Sequence, residues 1–209
     1  MQNYPLNYKN RGSNAFDVFV CVIICALMVL AVFRIAFGLT YVKVYVVGSS
    51  MDGTLIGADS KGAEGGDYVY IFRTSSPRRG DIAVIKTDDY PIIKRVIALG
   101  GDTVALRGGV LYVNGKVVDE PYVKESNNSP SNPKNTYPET TVPEGYMFFM
   151  GDNRDVSVDS RSDKYKMMPV ENTMGVVADW SMSFKWLFTA VNTFFDFKIG
   201  RGAHGFFGS

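Results

Sequence analysis

Histidine and cysteine are nearly missing from this chain. Among its 209 residues there are one histidine and two cysteines. Cys21 and Cys25 both lie in an apolar run near the N-terminus, so the polar remainder has neither a disulfide framework nor a thiol nucleophile. Four apart on a helix they would share a face, but that spacing does not aim them as a disulfide requires. They read as small buried apolar residues. His204 stands alone in a Gly-rich tail, which all but excludes a histidine-rich or thiolate metal site and disfavours a Ser–His–Asp hydrolase. An excess of charge of one sign is lacking too. There are 22 Lys plus Arg against 21 Asp plus Glu, a net charge of +1, so nothing suggests a polyanionic partner. No nucleotide-binding loop, metal cluster or cofactor motif is visible. The chain is therefore expected to use no cofactor and no metal, and to bind neither nucleic acid nor nucleotide.

One long apolar run is present. Val18–Phe33 is 16 residues without a charge, about 24 Å as a helix, and extension past Arg34 to Val42 gives ample length for a bilayer core of roughly 30 Å. A transmembrane anchor fits this length and composition best. A cleaved signal peptide is an alternative, with Lys9 and Arg11 as its charged start and Ala36-Phe37-Gly38 as a weak site, though Arg34 would interrupt it. A buried soluble helix is the third reading. Charge leans only slightly toward a cytoplasmic N-terminus.

From Tyr41 the pattern changes. "YVKVYVV" alternates and is rich in β-branched and aromatic residues; "GDYVYIFR", "GDIAVIK" and "YPIIKRVIAL" are further strands bounded by turn formers. Gly108-Gly109 and Asn114-Gly115 are hairpin signals. No long amphipathic helix is indicated between residues 42 and 180. The expected fold is mainly β: an antiparallel sheet domain with irregular loops, preceded by one N-terminal transmembrane helix. The Asn-, Ser- and Pro-rich stretch "KESNNSPSNPKNTYPETTVPEG" reads as a mobile loop. The aromatic tail from Trp180 reads either as a last strand or short helix packed on the domain or as a shallow interfacial contact made by Trp180, Trp186 and the neighbouring phenylalanines.

Three stretches carry chemistry. "GSSMDGTL" puts Ser50 on a turn between strands. "IIKRV" puts Lys94 in an apolar run. "GDNRDVSVDSR" crowds Asp152, Asn153, Arg154, Asp155, Ser157, Asp159, Ser160 and Arg161 into 11 residues. Burial would lower the Lys94 pKa, and Arg95 would push the same way. A shift of roughly 2 units, about 3 kcal/mol, makes it substantially neutral near pH 8. A neutral lysine can take a proton from a serine, and no histidine is then needed. Each feature alone also has an ordinary reading: Lys94 on the solvent face of an alternating strand, Ser50 as a turn former, the acidic stretch as a solvated loop.

In order and spacing these stretches resemble the signature boxes of type I signal peptidases, membrane-bound Ser/Lys proteases that remove signal peptides from exported proteins. "GSSMDGTL" is similar to the nucleophile box, "RRGDIAVIK" to the next, "IIKRVIALGGDTV" to the lysine box and "GDNRDVSVDSR" to the most diagnostic one. The resemblance covers roughly residues 18–178. It implies that Ser50 attacks the scissile carbonyl, that Lys94 is general base and then general acid, and that Ser157 orients the Lys94 amine. It implies that Asp159 and Arg161 pair to hold the loop beside that lysine, and that the Ser50 N–H is an oxyanion donor. Substrate would bind as an added strand, with small residues at the first and third positions before the cut. Val46, Gly48, Met51, Leu55 and Ile93 are candidates for lining those shallow pockets.

The implied layout is a cytoplasmic segment 1–14, a single membrane anchor 15–42, an extracytoplasmic protease domain 43–180 with a β cap insertion at about 104–147, and an aromatic tail 181–209. The partners implied are signal peptides of exported preproteins and membrane lipid. Several positions depart from the family pattern. Gly53 stands where proline is usual and would loosen the turn; Gly48 stands where some members place an oxyanion-assisting serine; Ala98 and Gly100 replace glycine and proline. These leave open a specialised or self-cleaving Ser/Lys protease, or a membrane-tethered β module without activity.

Overall fold

The computed structural model describes residues 15–58, 65–74 and 76–199, the last seven as backbone only. The segment 1–14, His204 and the end of the tail lie outside the described residues. The chain divides between Thr40 and Tyr41 into two units.

The first unit is one helix, α1 (Ala15–Thr40), of 26 residues with none buried. Its length and composition suit a membrane span. Such a helix satisfies its own backbone hydrogen bonds, so its apolar side chains need no protein partner. Cys21 and Cys25 are free thiols on its exposed surface. The expectation that they are buried is thereby corrected: both are exposed, and among the described residues α1 buries none.

The second unit is mainly antiparallel β. Its strands are β1 (Tyr41–Tyr45), β2 (Tyr68–Phe72), β3 (Ile82–Ile85), β4 (Ile92–Leu99), β5 (Thr103–Arg107), β6 (Val110–Val113), β7 (Lys116–Val117), β8 (Tyr137–Thr141), β9 (Tyr146–Met150), β10 (Met168–Pro169) and β11 (Thr173–Val177). One sheet has the order β1-β2-β11-β3-β4-β9-β10; the other has the order β7-β6-β5-β8. The turns are built as their residues require. Gly108 and Gly109 take positive φ between β5 and β6, and Asn114 and Gly115 do so between β6 and β7.

Strand β4 is central, flanked by β3 and β9. Six of its eight residues are buried, on both faces of the sheet. A strand covered on both sides reads as a nearly continuous apolar run, which is how "IIKRVIAL" looks. One face lies against a core of Ile97, Val104, Leu106, Leu111, Val113 and Phe148, shared with the smaller sheet. Another core, beside β1 to β3, holds Val46, Met51, Leu55, Val69, Ile71 and Val84.

The Asn- and Ser-rich stretch, expected to be mobile, is instead fastened down. The buried side chain of Asn135 donates to Ser129 O (2.9 Å) and to Asp155 Oδ1 (2.6 Å), while Asn132 Nδ2 donates to the same carboxylate oxygen (3.0 Å). The Asp155 N–H donates to Asn127 O at 3.1 Å. The polar residues that suggest disorder in sequence here saturate one another and a single carboxylate.

The chain ends in two helices, α2 (Asp179–Ser183) and α3 (Lys185–Ile199), packed on β2. Ser181 Oγ accepts from Tyr70 N (2.6 Å) and Thr189 Oγ1 from Tyr68 N (3.1 Å).

Removing the Asp155 carboxylate takes one acceptor from the buried Asn135 amide and one from the half-buried Asn132 amide, at about 1–3 kcal/mol. Asp155→Ala is expected to become protease-sensitive between Lys124 and Lys134 while keeping its β circular dichroism; equal resistance to trypsin in variant and wild type would refute this account of the loop.

Candidate active site

Ser50 follows the end of β1, on a turn held from both sides. Asp52 N donates to Ser49 O (3.1 Å) and Leu55 N to Met51 O (2.9 Å), which curls the chain immediately after the serine. From across the domain, Asn153 N donates to Ser50 O (3.1 Å) and Asn153 Nδ2 to Ser49 O (3.1 Å). The turn and the "GDNRDVSVDSR" loop are thus bonded through backbone on one side and an amide on the other. Their approach needs glycine at 151, where a Cβ would lie 2.3 Å from Ser50 O and 2.4 Å from Ser157 Oγ.

Gly53 has φ +120°, and a Cβ there would sit 2.8 Å from Tyr122 O. Proline cannot take that φ. The expectation that Gly53 loosens the turn is corrected: it lets the Tyr122 segment pack against the turn. Asn127 Nδ2 donates to Asp52 O (3.2 Å) in the same contact.

Lys94 projects from the central strand to the serine. Its Nζ lies 2.7 Å from Ser50 Oγ and donates to Ile93 O at 2.9 Å. Only 5% of the residue is exposed, which sets aside the solvent-face reading. Burial lowers its pKa from 10.5 to about 8; the Asp159 and Asp152 carboxylates push the other way and are outweighed. At about 1.4 kcal/mol per unit, that shift corresponds to roughly 3 kcal/mol.

Both opposing carboxylates carry an arginine. Arg95, next to Lys94, donates Nε to Asp152 Oδ1 (2.9 Å) and Nη2 to Asp152 Oδ2 (2.7 Å), a bidentate pair. Thr54 Oγ1 donates to the same Oδ2 at 2.5 Å. The Arg95 guanidinium lies over the Tyr122 ring, 3.8 Å from its centroid. Arg161 donates Nε to Asp159 Oδ1 and Nη2 to Asp159 Oδ2, each at 2.9 Å, and Gly151 N donates to Oδ2 at 3.0 Å. Burial pushes the Asp159 carboxyl up, but Arg161, the Gly151 N–H and the neighbouring Ser157 hydroxyl together hold it below its usual value. Arg161 is itself placed by Asn135 Oδ1 (3.0 Å), Lys134 O (2.9 Å) and Arg154 O (2.8 Å). Arg154, fully buried, donates to Glu120, which also accepts from Tyr122 Oη at 2.7 Å.

The structure therefore brings together Ser50, Lys94, Ser157, Asp159 and Arg161. It does not give Ser157 the expected bond to Lys94. The Ser157 hydroxyl is buried beside Asp159 and makes no well-formed hydrogen bond. Among the candidate pocket residues, Gly48 and Ile93 are partly exposed. Val46, Met51 and Leu55 are not: each is at most 1% exposed and belongs to the core beside β2. The turn folds back over the sheet and points these three inward, so they form a floor beneath the serine rather than an open wall. Val47 and Ile56, both exposed, flank the turn instead. The sequence reading passed over the parts played by Arg95, Asp152, Thr54, Glu120, Tyr122 and Asn135. The adjacency of Lys94 and Arg95 was the one available signal, since an arginine in an apolar run needs a buried anion.

The family model described as signal peptidase, peptidase S26, matches residues 16–181. A signal peptidase I of Bacillus licheniformis is 33% identical over 164 residues, covering 73% of this chain and 81% of its own length. A signal peptidase IB of Staphylococcus aureus is 33% identical over 172 residues, covering 71% and 83%. A solved signal peptidase I from Enterococcus faecalis, 31% identical, covers 49% of this chain and 97% of its own with a TM-score of 0.42. With a family match over most of its length and relatives of this extent, the chain belongs to the signal peptidase family, peptidase S26, and is a membrane-anchored serine peptidase.

Proposed function

We propose that this peptidase removes signal peptides from exported preproteins with a Ser50/Lys94 pair, cutting after a small-x-small site. The observation that carries this reading is the 2.7 Å contact between Lys94 Nζ and Ser50 Oγ, with an amine whose pKa burial lowers to about 8. A buried neutral amine at hydrogen-bond distance from a hydroxyl is what a lysine general base requires.

In the proposed reaction, neutral Lys94 takes the Ser50 proton as Oγ bonds to the scissile carbonyl carbon and the carbonyl electrons move to oxygen. The Ser50 N–H stabilises that oxyanion. The Lys94 ammonium then gives its proton to the amine nitrogen as the C–N bond breaks, leaving an acyl ester on Ser50. Water, deprotonated by Lys94, hydrolyses the ester, and the proton returns to Ser50. Asp159, held by Arg161, and Asp152, held by Arg95, stand near enough to stabilise the transient ammonium. Ser157 fits a positioning role through Asp159, and a rotation of its hydroxyl toward the ammonium would complete that role.

The preference for small residues follows from the family resemblance, with Gly48 and Ile93 the candidate pocket residues that remain partly exposed. A single-pass anchor with the N-terminus in the cytoplasm and residues 43–180 outside it would set Ser50 close to the bilayer surface, where a signal peptide emerges. Only residues 43–49 separate the serine from the proposed anchor.

The test is cleavage of a preprotein bearing an Ala-x-Ala site by the full chain in detergent. Ser50→Ala and Lys94→Ala are each expected to fold and to lose about 10³-fold or more of kcat/KM. Full activity in Lys94→Ala would rule out the dyad even if the substrate class is right.

The pH profile checks the lysine separately. Its folded pKa lies below its ordinary value and the deprotonated amine is the active form, so kcat/KM should rise through an apparent pKa of about 8. Arg161→Met leaves Asp159 less well neutralised, which favours the ammonium. The rising limb is expected to move up by about one unit, with the high-pH plateau reduced far less than the rate at pH 7. An unmoved limb would remove Asp159 from the control of Lys94.

A further inference from the structure

A lysine in the first turn of a helix is out of place. The unpaired N–H groups and the helix dipole there favour an anion and disfavour a cation. Lys185 nevertheless opens α3, whose first turn holds no acidic residue. It also lies beyond residues 16–181, the stretch that matches the family model. Its amine is not left to water. Lys185 Nζ donates to Thr54 O (2.7 Å) and to Asp67 Oδ2 (2.9 Å), 131 and 118 positions earlier in the chain. An exposed ion pair contributes little, but here the carboxylate is buried and the amine has a second bond to a backbone carbonyl.

What the two acceptors hold explains the placement. Residues 46–58 form the loop that carries Ser50, and its two limbs are stitched together at the base. Gly48 N donates to Ala58 O (2.9 Å), Ala58 N to Val46 O (3.0 Å) and Val46 N to Asp67 O (3.0 Å). Gly57 makes room for this approach, since a Cβ there would lie 1.9 Å from Gly48 O. Asp67 grips the returning limb as well: its N–H donates to Ile56 O (2.8 Å), and Ile56 N donates to Asp67 Oδ2 (2.8 Å), the oxygen that Lys185 also takes. Thr54 stands between the loop and the catalytic charges. Its hydroxyl donates to Asp152 Oδ2 (2.5 Å) and accepts from Arg95 Nη2 (3.3 Å), while its N–H donates to Met51 O (3.1 Å), next to the serine. Its carbonyl is the group that Lys185 fixes.

We propose that Lys185 is a positioning residue of this peptidase: by bridging Asp67 and the Thr54 carbonyl, it clamps the turn that carries Ser50 and holds the hydroxyl within reach of Lys94. The start of α3 is then part of the machinery, supplied by the chain beyond the family-matched stretch. The proposal rests on the Ser50/Lys94 reading. A clamp of this kind acts on the geometry of the reacting groups and not on the hold on substrate, so its loss falls on kcat and spares KM.

The test compares the full chain with Lys185→Met and Lys185→Arg in detergent, on a preprotein bearing an Ala-x-Ala site. Lys185→Met is expected to lower kcat about ten-fold or more, with KM changed by less than about two-fold. The guanidinium of Lys185→Arg can donate to both acceptors and is expected to bring kcat back to within about three-fold of wild type. Lys185→Met also leaves the Asp67 carboxylate without its cation, which destabilises the fold on its own account. The double variant Asp67→Asn/Lys185→Met removes that charge, and the same fall in kcat is expected there. Hydrogen exchange, read without turnover, is expected to quicken in Lys185→Met over residues 51–58 and to stay unchanged over β3 and β4. Unaltered kcat in folded Lys185→Met would overturn the proposal. So would a fall that Lys185→Arg does not relieve and that comes with faster exchange throughout the sheet, since that marks a merely structural ion pair. Unchanged exchange over 51–58 would remove the clamp while leaving the Ser50/Lys94 reading intact. An inactive wild type would remove that reading and the positioning role with it, while faster exchange over 51–58 in Lys185→Met would still show the clamp.

Discussion

The amine of Lys94 has to stay out of water, and most of the domain is arranged around that constraint. A lysine on the edge of a sheet would keep its ordinary pKa and carry a proton at neutral pH. Strand β4, central and covered on both faces, brings that pKa down to about 8, so that the deprotonated amine becomes accessible near that pH. Two carboxylates beside the amine would restore its proton if they were bare. Each is instead engaged by an arginine, Asp152 by Arg95 and Asp159 by Arg161, so burial prevails and the pKa of the amine stays lowered, at about 8. Unpaired ions at such depth are very costly, which is why the arginines are themselves tied to carbonyls and an aromatic ring. Under the proposed mechanism the same carboxylates become useful when the ammonium forms, since they are already oriented and need no rearrangement.

The serine is positioned by three parts of the chain that are distant in sequence. The "GDNRDVSVDSR" loop bonds Ser49 and Ser50 through Asn153. The Tyr122 segment packs on Gly53. Lys185, at the start of α3, reaches Thr54 O. None of these contacts is strong alone. Together they leave the turn few alternative geometries, which the proposed nucleophile needs if its oxygen is to stay within reach of the proposed base.

The chain passes from α1 into β1 without a linker residue. Helix α3 rests on the neighbouring strand, β2.

Local patterns by themselves determined a good deal. The uninterrupted apolar run marked α1, the alternation after Tyr41 marked β strands, and Gly108-Gly109 and Asn114-Gly115 marked hairpins, because these depend on side-chain period and backbone sterics over a few residues. Ser50, Lys94 and the acidic loop were legible through their resemblance to a family, whereas periodicity alone favoured a solvent-exposed Lys94. What sequence could not reveal were partners chosen by topology. The pairing of Arg95 with Asp152, 57 positions apart, the fastening of the Asn- and Ser-rich loop by Asp155, the packing of Tyr122 on Gly53 and the inward turn of Val46, Met51 and Leu55 join residues distant in the chain. A polar loop and a fastened loop have the same composition; only the fold decides whether a carboxylate is waiting for its amides. Composition likewise placed aromatic residues in the tail, but only the packing on β2 decided that Phe188 of α3 turns inward against Tyr70 while Trp186 is exposed.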